Sequence, residues 1–308
     1  MAMKKIFIDG KEGTTGLEIF HRLQGRAGIE IVTLPEHLRK DPDARREASL
    51  ASDLTVLCLP DRAAAEAVKA LEGSSARIID ASTAHRTAPG WVYGFAELNK
   101  RQAEAIAAAQ RVANPGCHAT GLIAALAPLV DKGEVDPSES ISCFSLTGYS
   151  GGGKKMIAEY ESEGRDVALQ SPRIYALGQT HKHLPEMTHY CRLTSAPVFS
   201  PVVADFYRGM AVTVFLPGKA GRTPDAIADC LFKHYAAYPN IKVSMQDGAM
   251  LAANRYAGKD GLELVIGGTE GRVTVTALFD NLGKGASGAA VQNINLMLGF
   301  GQYEGLVL

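Results

Sequence analysis

The chain has 308 residues, 46% of them hydrophobic and 21% charged, the balance of a folded globular protein long enough for two domains and not of a disordered or fibrous one. Its 32 basic and 33 acidic side chains nearly cancel, so no overall field draws it to nucleic acid or to an anionic membrane, and anionic ligands must be held by local groups. The first apolar run stops at Asp9 and no later run nears the roughly 20 residues of a membrane span, so a cytoplasmic protein is expected.

Lys4 to Asp9 reads as a buried strand, and GKEGTTG after it runs into the amphipathic stretch LEIFHRLQG, which is strand, turn and helix. Further strands are predicted at Ile29 to Leu34, at Leu54 to Leu59 ending on Pro60, and at Arg77 to Asp80, with a helix in DRAAAEAVKALEG. This alternation implies an α/β fold whose N-terminal part is a doubly wound, Rossmann-like parallel sheet. Gly10, Gly13 and Gly16, with Thr14 and Thr15 among them, stand where backbone amides and a helix N-terminus can take a pyrophosphate. The plainer reading of the same glycines is a tight turn. After the second strand no clean acidic residue is placed for a ribose 2′-hydroxyl. Glu36 follows a proline beside Arg39 and Lys40, whose charges suit a 2′-phosphate, so NADP is favoured over NAD.

An alanine-rich helical segment from Asn99 to Arg111 leads to the turn NPG and to Cys117. Beyond it ISCFSLTGY, APVFSPVVADF, RGMAVTVFLP, IKVSMQ, LELVIGG and GRVTVTALFD are β-rich and close together, which predicts an α+β domain with a largely antiparallel sheet. SGAAVQNINLMLGFG is a last helix expected to return to the first domain. Residues 1–116 with about 285–308 are therefore assigned to a dinucleotide-binding domain, and 117–284 to a catalytic, substrate and oligomerisation domain. A second domain of this kind commonly pairs, so a homodimer or homotetramer is expected.

The five cysteines are odd in number and lack CxxC spacing, which argues for free thiols and against a disulfide framework or a zinc site, and no metal is expected. Cys58, Cys143, Cys191 and Cys230 read as packed structural residues. Cys117 differs, because a Pro-Gly turn places it at the first turn of an apolar helix, whose positive end stabilises a thiolate. A cysteine nucleophile needs a proton shuttle, and THKHLPEM offers His181 and His183 ahead of a helix, with Glu186 near enough in sequence to orient one of them. His21, His37, His189 and His234 read as surface or core histidines, and the role of His118 is open. The loop TGYSGGGKK, with Arg86 and Arg208 elsewhere, supplies donors for a phosphate or carboxylate.

GKEGTTG, LCLPD, DASTAHR, NPGCHATG, GYSGGGKK, YALGQTHKHLPEM and FDNLGKGASGAAVQNINLMLG, in that order and spacing from Ile6 almost to the C-terminus, resemble the short form of the N-acetyl-gamma-glutamyl-phosphate reductase family, within the semialdehyde dehydrogenase superfamily. The resemblance implies NADP(H) as cofactor, and acyl phosphate and phosphate as small-molecule ligands. It implies Cys117 as nucleophile, with His181 or His183 as acid/base. Tyr175 and Arg208 would line the substrate pocket, and Ser82, Arg86, Ser150 and Lys154 would hold phosphate or carboxylate. Asn281 and Lys284 would lie near the nicotinamide, with the glycine loop, Arg39 and Pro60 also on the cofactor. The chain departs from the commoner long form at His118, where an aromatic residue often follows the cysteine, and at Lys154, where arginine follows the glycine loop. Aspartate-semialdehyde dehydrogenase chemistry is the nearest alternative, and a cofactor-independent Cys-His hydrolase or acyltransferase a more distant one.

Overall fold

The structure, a computed structural model, describes residues 3–308. In chain order it begins with β1 (Lys4–Asp9), α1 (Thr14–Leu23), β2 (Ile29–Val32), α2 (Pro42–Leu50), β3 (Leu54–Leu57), α3 (Asp61–Ala70), β4 (Ile78–Asp80), β5 (Val92–Tyr93), α4 (Gln102–Ala108) and β6 (Arg111–Ala113). There follow α5 (Cys117–Asp131), β7 (Ser142–Gly148), α6 (Gly153–Glu161), β8 (Arg173–Ile174), α7 (Leu184–Tyr190), β9 (Val198–Ala204), β10 (Met210–Phe215), α8 (Pro224–Tyr235), β11 (Ile241–Met245), β12 (Leu262–Thr269), β13 (Arg272–Phe279) and α9 (Gly288–Leu298). The chain forms two compact units, one of residues up to Ala96, Lys100–Pro115 and Ala286–Leu306, the other of Glu97–Asn99, Gly116–Gly285 and Val307–Leu308.

The first unit is a six-stranded sheet in the order β2-β1-β3-β4-β6-β5, parallel throughout. Neighbouring residues of one strand serve opposite layers, because successive side chains point to opposite faces. Val56 packs with Ile19 and Leu23 of α1 and Ile294 of α9, whereas Leu57 packs with Ala64 and Val68 of α3. Sequence patterning did not resolve α2. That helix is opened by Asp41, whose carboxylate accepts from Ala44 N–H at 2.8 Å, and by Pro42 in its first turn. Its mostly polar surface leaves little apolar periodicity to read.

The second unit is a seven-stranded sheet in the order β11-β12-β13-β10-β7-β9-β8. It is mixed: β12/β13, β13/β10, β10/β7 and β8/β9 are antiparallel, while β11/β12 and β7/β9 run parallel. The parallel β7/β9 pair needs a crossover, and the chain between them provides α6, β8 and α7. Along one face lies α5, buried from His118 to Val130. Gly121 lets it approach, since a Cβ there would come 2.5 Å from a Val212 methyl and 2.9 Å from the Phe279 ring. Pro128 inside α5 has no N–H to give the Ala124 carbonyl, and the Tyr235 hydroxyl donates to that carbonyl at 2.8 Å instead. On the opposite face Phe144, Val198 and Phe215 stay exposed, in register with Thr213, Ser142 and Thr274.

Candidate active site

Cys117 is the first residue of α5, with Gly116 as N-cap and no acidic side chain in the first turn, so the positive end of the helix is left to the sulfur. The buried carboxylate of Glu186, on α7, accepts from the Gly116 N–H at 3.2 Å and ties the backbone before the cysteine to α7. Gly285 closes in from another direction, where an added Cβ would lie 2.9 Å from that of Cys117.

One helical step on, His118 points away from Cys117 into a buried cluster. Its Nδ1 lies 2.6 Å from Ser145 Oγ and its Nε2 2.7 Å from the Tyr175 hydroxyl. Its ring centroid is 5.3 Å from that of His181, 5.7 Å from His183 and 5.3 Å from Phe199, and His181 and His183 are 4.7 Å apart. The two predicted acid/base candidates and Tyr175 are thus brought together around a third histidine beside Cys117. Burial, then the charge of His181, pushes His118 down to about 3, so it is neutral. Burial, then the charge of Cys117, pushes the Tyr175 phenol up. His181 Nδ1 accepts from the His183 N–H at 3.1 Å. The loop bearing Tyr175 and His181 is strained, with Ala176 and Gln179 at φ 51° and 55°. The Gln179 amide holds it to β9, donating to the Phe199 carbonyl and accepting from its N–H, both at 2.8 Å.

Ser150, Asn281 and Arg208 also meet in this unit. Asn281 donates to Ser150 Oγ at 2.9 Å and accepts from the Gly209 N–H at 2.9 Å, while the Arg208 guanidinium lies 2.8 Å from the buried carboxylate of Asp280. Lys154 is exposed on α6. Lys284 is buried, and its ammonium donates to Glu97 at 2.6 Å, the same carboxylate accepting from Asn240 at 2.6 Å.

In the first unit, the sheet switches direction between β1 and β3, and the loops after their C-terminal ends form the crevice where such sheets take ligands. Gly10, at φ 83°, and Gly16 are required by packing, because a Cβ would lie 2.4 Å from the Cys58 carbonyl oxygen at the first and 2.6 Å from that of Gly10 at the second. Gly13 is different. It caps α1 without a side chain, a Cβ there would meet nothing nearer than 3.5 Å, and beside it Thr14 Oγ1 is buried without a partner among the described residues. An open helix N-terminus with an unpaired buried hydroxyl suits a phosphate. A cavity of about 210 Å³ there is lined by Gly10, Lys11, Thr33, Arg39, Lys40 and Leu59. Arg39 pairs with Glu36 at 2.5 Å, Thr15 lies in the first turn of α1, and Pro60 is the exposed N-cap of α3. Ser82 and Arg86 are held locally: Ser82 Oγ donates to Asp80 at 2.8 Å, and Arg86 donates to the Asn114 and Ala81 carbonyls.

Sequence reasoning missed Ser145, Gln179, Asp280 and Glu97. Only Ser145 carried a local signal, a polar residue at an inward position of an alternating strand. Burial first, then Asp80 and Asp9, pushes Cys58 up to about 12, and burial raises Cys143, Cys191 and Cys230 as well, which keeps these four as thiols. Among the described residues no group of His, Cys, Asp or Glu is arranged for a metal, and no helix is long and apolar enough to cross a membrane.

Residues 5–106 match the semialdehyde dehydrogenase NAD binding domain and residues 117–281 the semialdehyde dehydrogenase dimerisation domain. N-acetyl-gamma-glutamyl-phosphate reductase of Brucella anthropi is 49% identical over 96% of this chain and 98% of its own, and that of Brucella ovis 48% over 96% and 99%. Among solved structures, aspartate semialdehyde dehydrogenase II of Vibrio cholerae, complexed with ASA, superposes with TM-score 0.69 at 17% identity over 97% of this chain and 99% of that one. The aspartate semialdehyde dehydrogenase of Candida albicans with NADP gives TM-score 0.69 at 15% identity over 96% and 99%. At such identities the structural likeness shows the fold alone, and the two domain matches with the Brucella relatives decide the rest: the chain belongs to the semialdehyde dehydrogenase family and, within it, to the N-acetyl-gamma-glutamyl-phosphate reductases.

Proposed function

We propose that the protein reduces N-acetyl-gamma-glutamyl phosphate to N-acetyl-glutamate 5-semialdehyde and phosphate with NADPH, a step of arginine biosynthesis. The observation that carries this reading is the single cysteine at a helix N-terminus, Cys117, beside the cluster of His118, His181, His183 and Tyr175. The Cys117 thiolate attacks the acyl carbonyl, the carbon–oxygen bond to phosphate breaks, and a thioester remains. The dinucleotide, when bound, supplies the hydride that reduces this thioester. In the resulting thiohemiacetal the carbon–sulfur bond breaks, the aldehyde leaves, and Cys117 recovers its electron pair. His181 or His183 protonates the developing oxyanion and takes the proton back as the sulfur departs, while the N–H groups of the first turn of α5 stabilise the negative charge. Serine at this position would form an ester too unreactive to accept hydride.

Gly10, Gly13, Thr14, Thr15 and Gly16 are the pyrophosphate cradle in this reading, and Arg39 with Lys40 at the rim of the same cavity favours the extra phosphate of NADP. Ser150, held by Asn281, and Arg208, held by Asp280, are the anion clamp in this reading, with Lys154 nearby in sequence, and Asn281 stands on the nicotinamide side. Lys284, expected near the nicotinamide, is instead given a structural part in this reading, because its buried ammonium is paired with Glu97. The exposed face bearing Phe144, Val198 and Phe215 pairs with a second copy, so the working protein is a homodimer or a homotetramer built from dimers.

The test is NADP reduction with N-acetyl-glutamate semialdehyde and phosphate, comparing the wild type with Cys117→Ser. Phosphate-dependent turnover abolished in the variant is expected. Turnover of aspartate semialdehyde alone would move the substrate and keep the chemistry, and turnover unaffected by Cys117→Ser would overturn the thioester.

A further inference from the structure

The hydrogen bonds around His118 can be satisfied in only two ways, and the burial of their ends decides between them. Neutral imidazole has one N–H and one lone pair. In the first arrangement Ser145 donates to Nδ1, and the Nε2–H donates to the Tyr175 oxygen. In the second, the Nδ1–H donates to Ser145, and Tyr175 gives its proton to Nε2. Ser145 is fully buried on β7, and among the described residues its hydroxyl has no hydrogen-bond partner but His118. The second arrangement would therefore strand the Ser145 proton in the core without an acceptor. The first strands nothing there. It moves the surplus donor to Tyr175, a partly exposed side chain whose only hydrogen-bond partner among the described residues is again His118.

We infer that His118 is a positioning residue: accepting from Ser145 at Nδ1 and donating to Tyr175 at Nε2, it leaves the Tyr175 O–H to donate a hydrogen bond to the acyl oxygen of the substrate on Cys117, an inference that rests on the thioester reading above. Two features of the site agree with it. Tyr175 lies close enough to Cys117 for the charge of the sulfur to bear on it, and burial first and then that charge push its phenol upward, so it stays protonated as a hydrogen-bond donor. The imidazole is packed edge-on against Phe199 and His181, at 76° and 82° between ring planes, which prevents the ring from turning to exchange its two nitrogens. A phenylalanine or tyrosine at position 118 could fill this space, but neither could accept at one end and donate at the other.

Two measurements test it. The nitrogen chemical shifts of His118 in the full-length protein should report protonation at Nε2 and a bare Nδ1 near neutral pH; the opposite tautomer would overturn the inference, and this readout does not depend on which substrate is turned over. In steady-state assays Tyr175→Phe should lower kcat by about 100-fold, the loss of one donor to a developing oxyanion, with KM changed by less than about threefold. His118→Phe should lower kcat in the wild-type background and have no further effect when Tyr175 is already phenylalanine. If instead the losses of the two substitutions multiply in the double variant, His118 acts by a route other than Tyr175 and the inference fails.

Discussion

Acidification should weaken this protein through one imidazole. Burial, and then the charge of His181, hold His118 down to about 3, against an ordinary value of 6.5. A histidine depressed in the folded state binds its proton mainly after unfolding. Its contribution to stability is therefore fully present above about pH 6.5 and is lost progressively as pH falls toward about 3. Each pH unit inside that window removes ~1.4 kcal/mol, so a fall from about pH 7 to about pH 5 costs ~2 kcal/mol. His118→Phe keeps a ring against Phe199 and removes the titration. Unfolding followed in urea at both pH values, at one fixed protein concentration because association adds to apparent stability, gives the comparison. The wild type should lose ~2 kcal/mol more than the variant between the two conditions, whatever their absolute stabilities. Parallel losses would mean that the His118 proton is bound equally well in the folded site, and the neutral imidazole would have to be abandoned.

Other consequences can be checked separately. Glu97→Ala leaves the Lys284 ammonium buried without its carboxylate and should cost about 3–5 kcal/mol in denaturant unfolding, whereas combining it with Lys284→Met should recover much of that loss. Gly13→Ala and Gly16→Ala should behave differently. A methyl group at Gly13 meets nothing nearer than 3.5 Å, so that variant should fold normally and bind NADPH at least about tenfold more weakly by calorimetric titration, while at Gly16 the clash with the Gly10 carbonyl should lower the melting temperature first. Phe144→Asp places a charge on the open sheet face and should shift sedimentation toward the monomer; an unchanged sedimentation coefficient would exclude that face as the pairing surface. Gln179→Ala releases the strained loop from β9 and should lower kcat while leaving the unfolding transition nearly in place.

Much of the first unit was legible because its signals are local. A strand, a glycine turn and an amphipathic helix follow one another within twenty-odd residues, and the parallel order follows from crossovers that short connections permit. What escaped were pieces with little periodicity: the polar helix α2, whose marker is the Asp41-Pro42 start, and the short strands β5 and β6, which neighbouring strands stabilise more than their own residues do. The second unit read correctly as β-rich and largely antiparallel, while its two parallel pairings, β11/β12 and β7/β9, were not marked by the sequence. Whether two strands run parallel depends on what lies between them in space, and the β7/β9 pairing joins residues more than fifty positions apart.

The amino-acid sequence by itself determined where the proposed nucleophile stands, because a turn and a helix start that the immediate neighbours of Cys117 encode place it at the first turn of α5. It also determined that a glycine turn follows the first strand, since glycine is demanded there by contacts with the Cys58 and Gly10 carbonyls. Only the tertiary structure decided what His118 touches. Its position in the chain says that it is one helical step from Cys117, and nothing local says that β7 brings Ser145 to one of its nitrogens while a strained loop brings Tyr175 to the other. The same holds for Lys284, whose partner Glu97 is 187 residues away. The neutralisation of a buried charge and the choice of a tautomer are set by which polar groups share a water-free space, and that is a property of packing rather than of sequence neighbourhood.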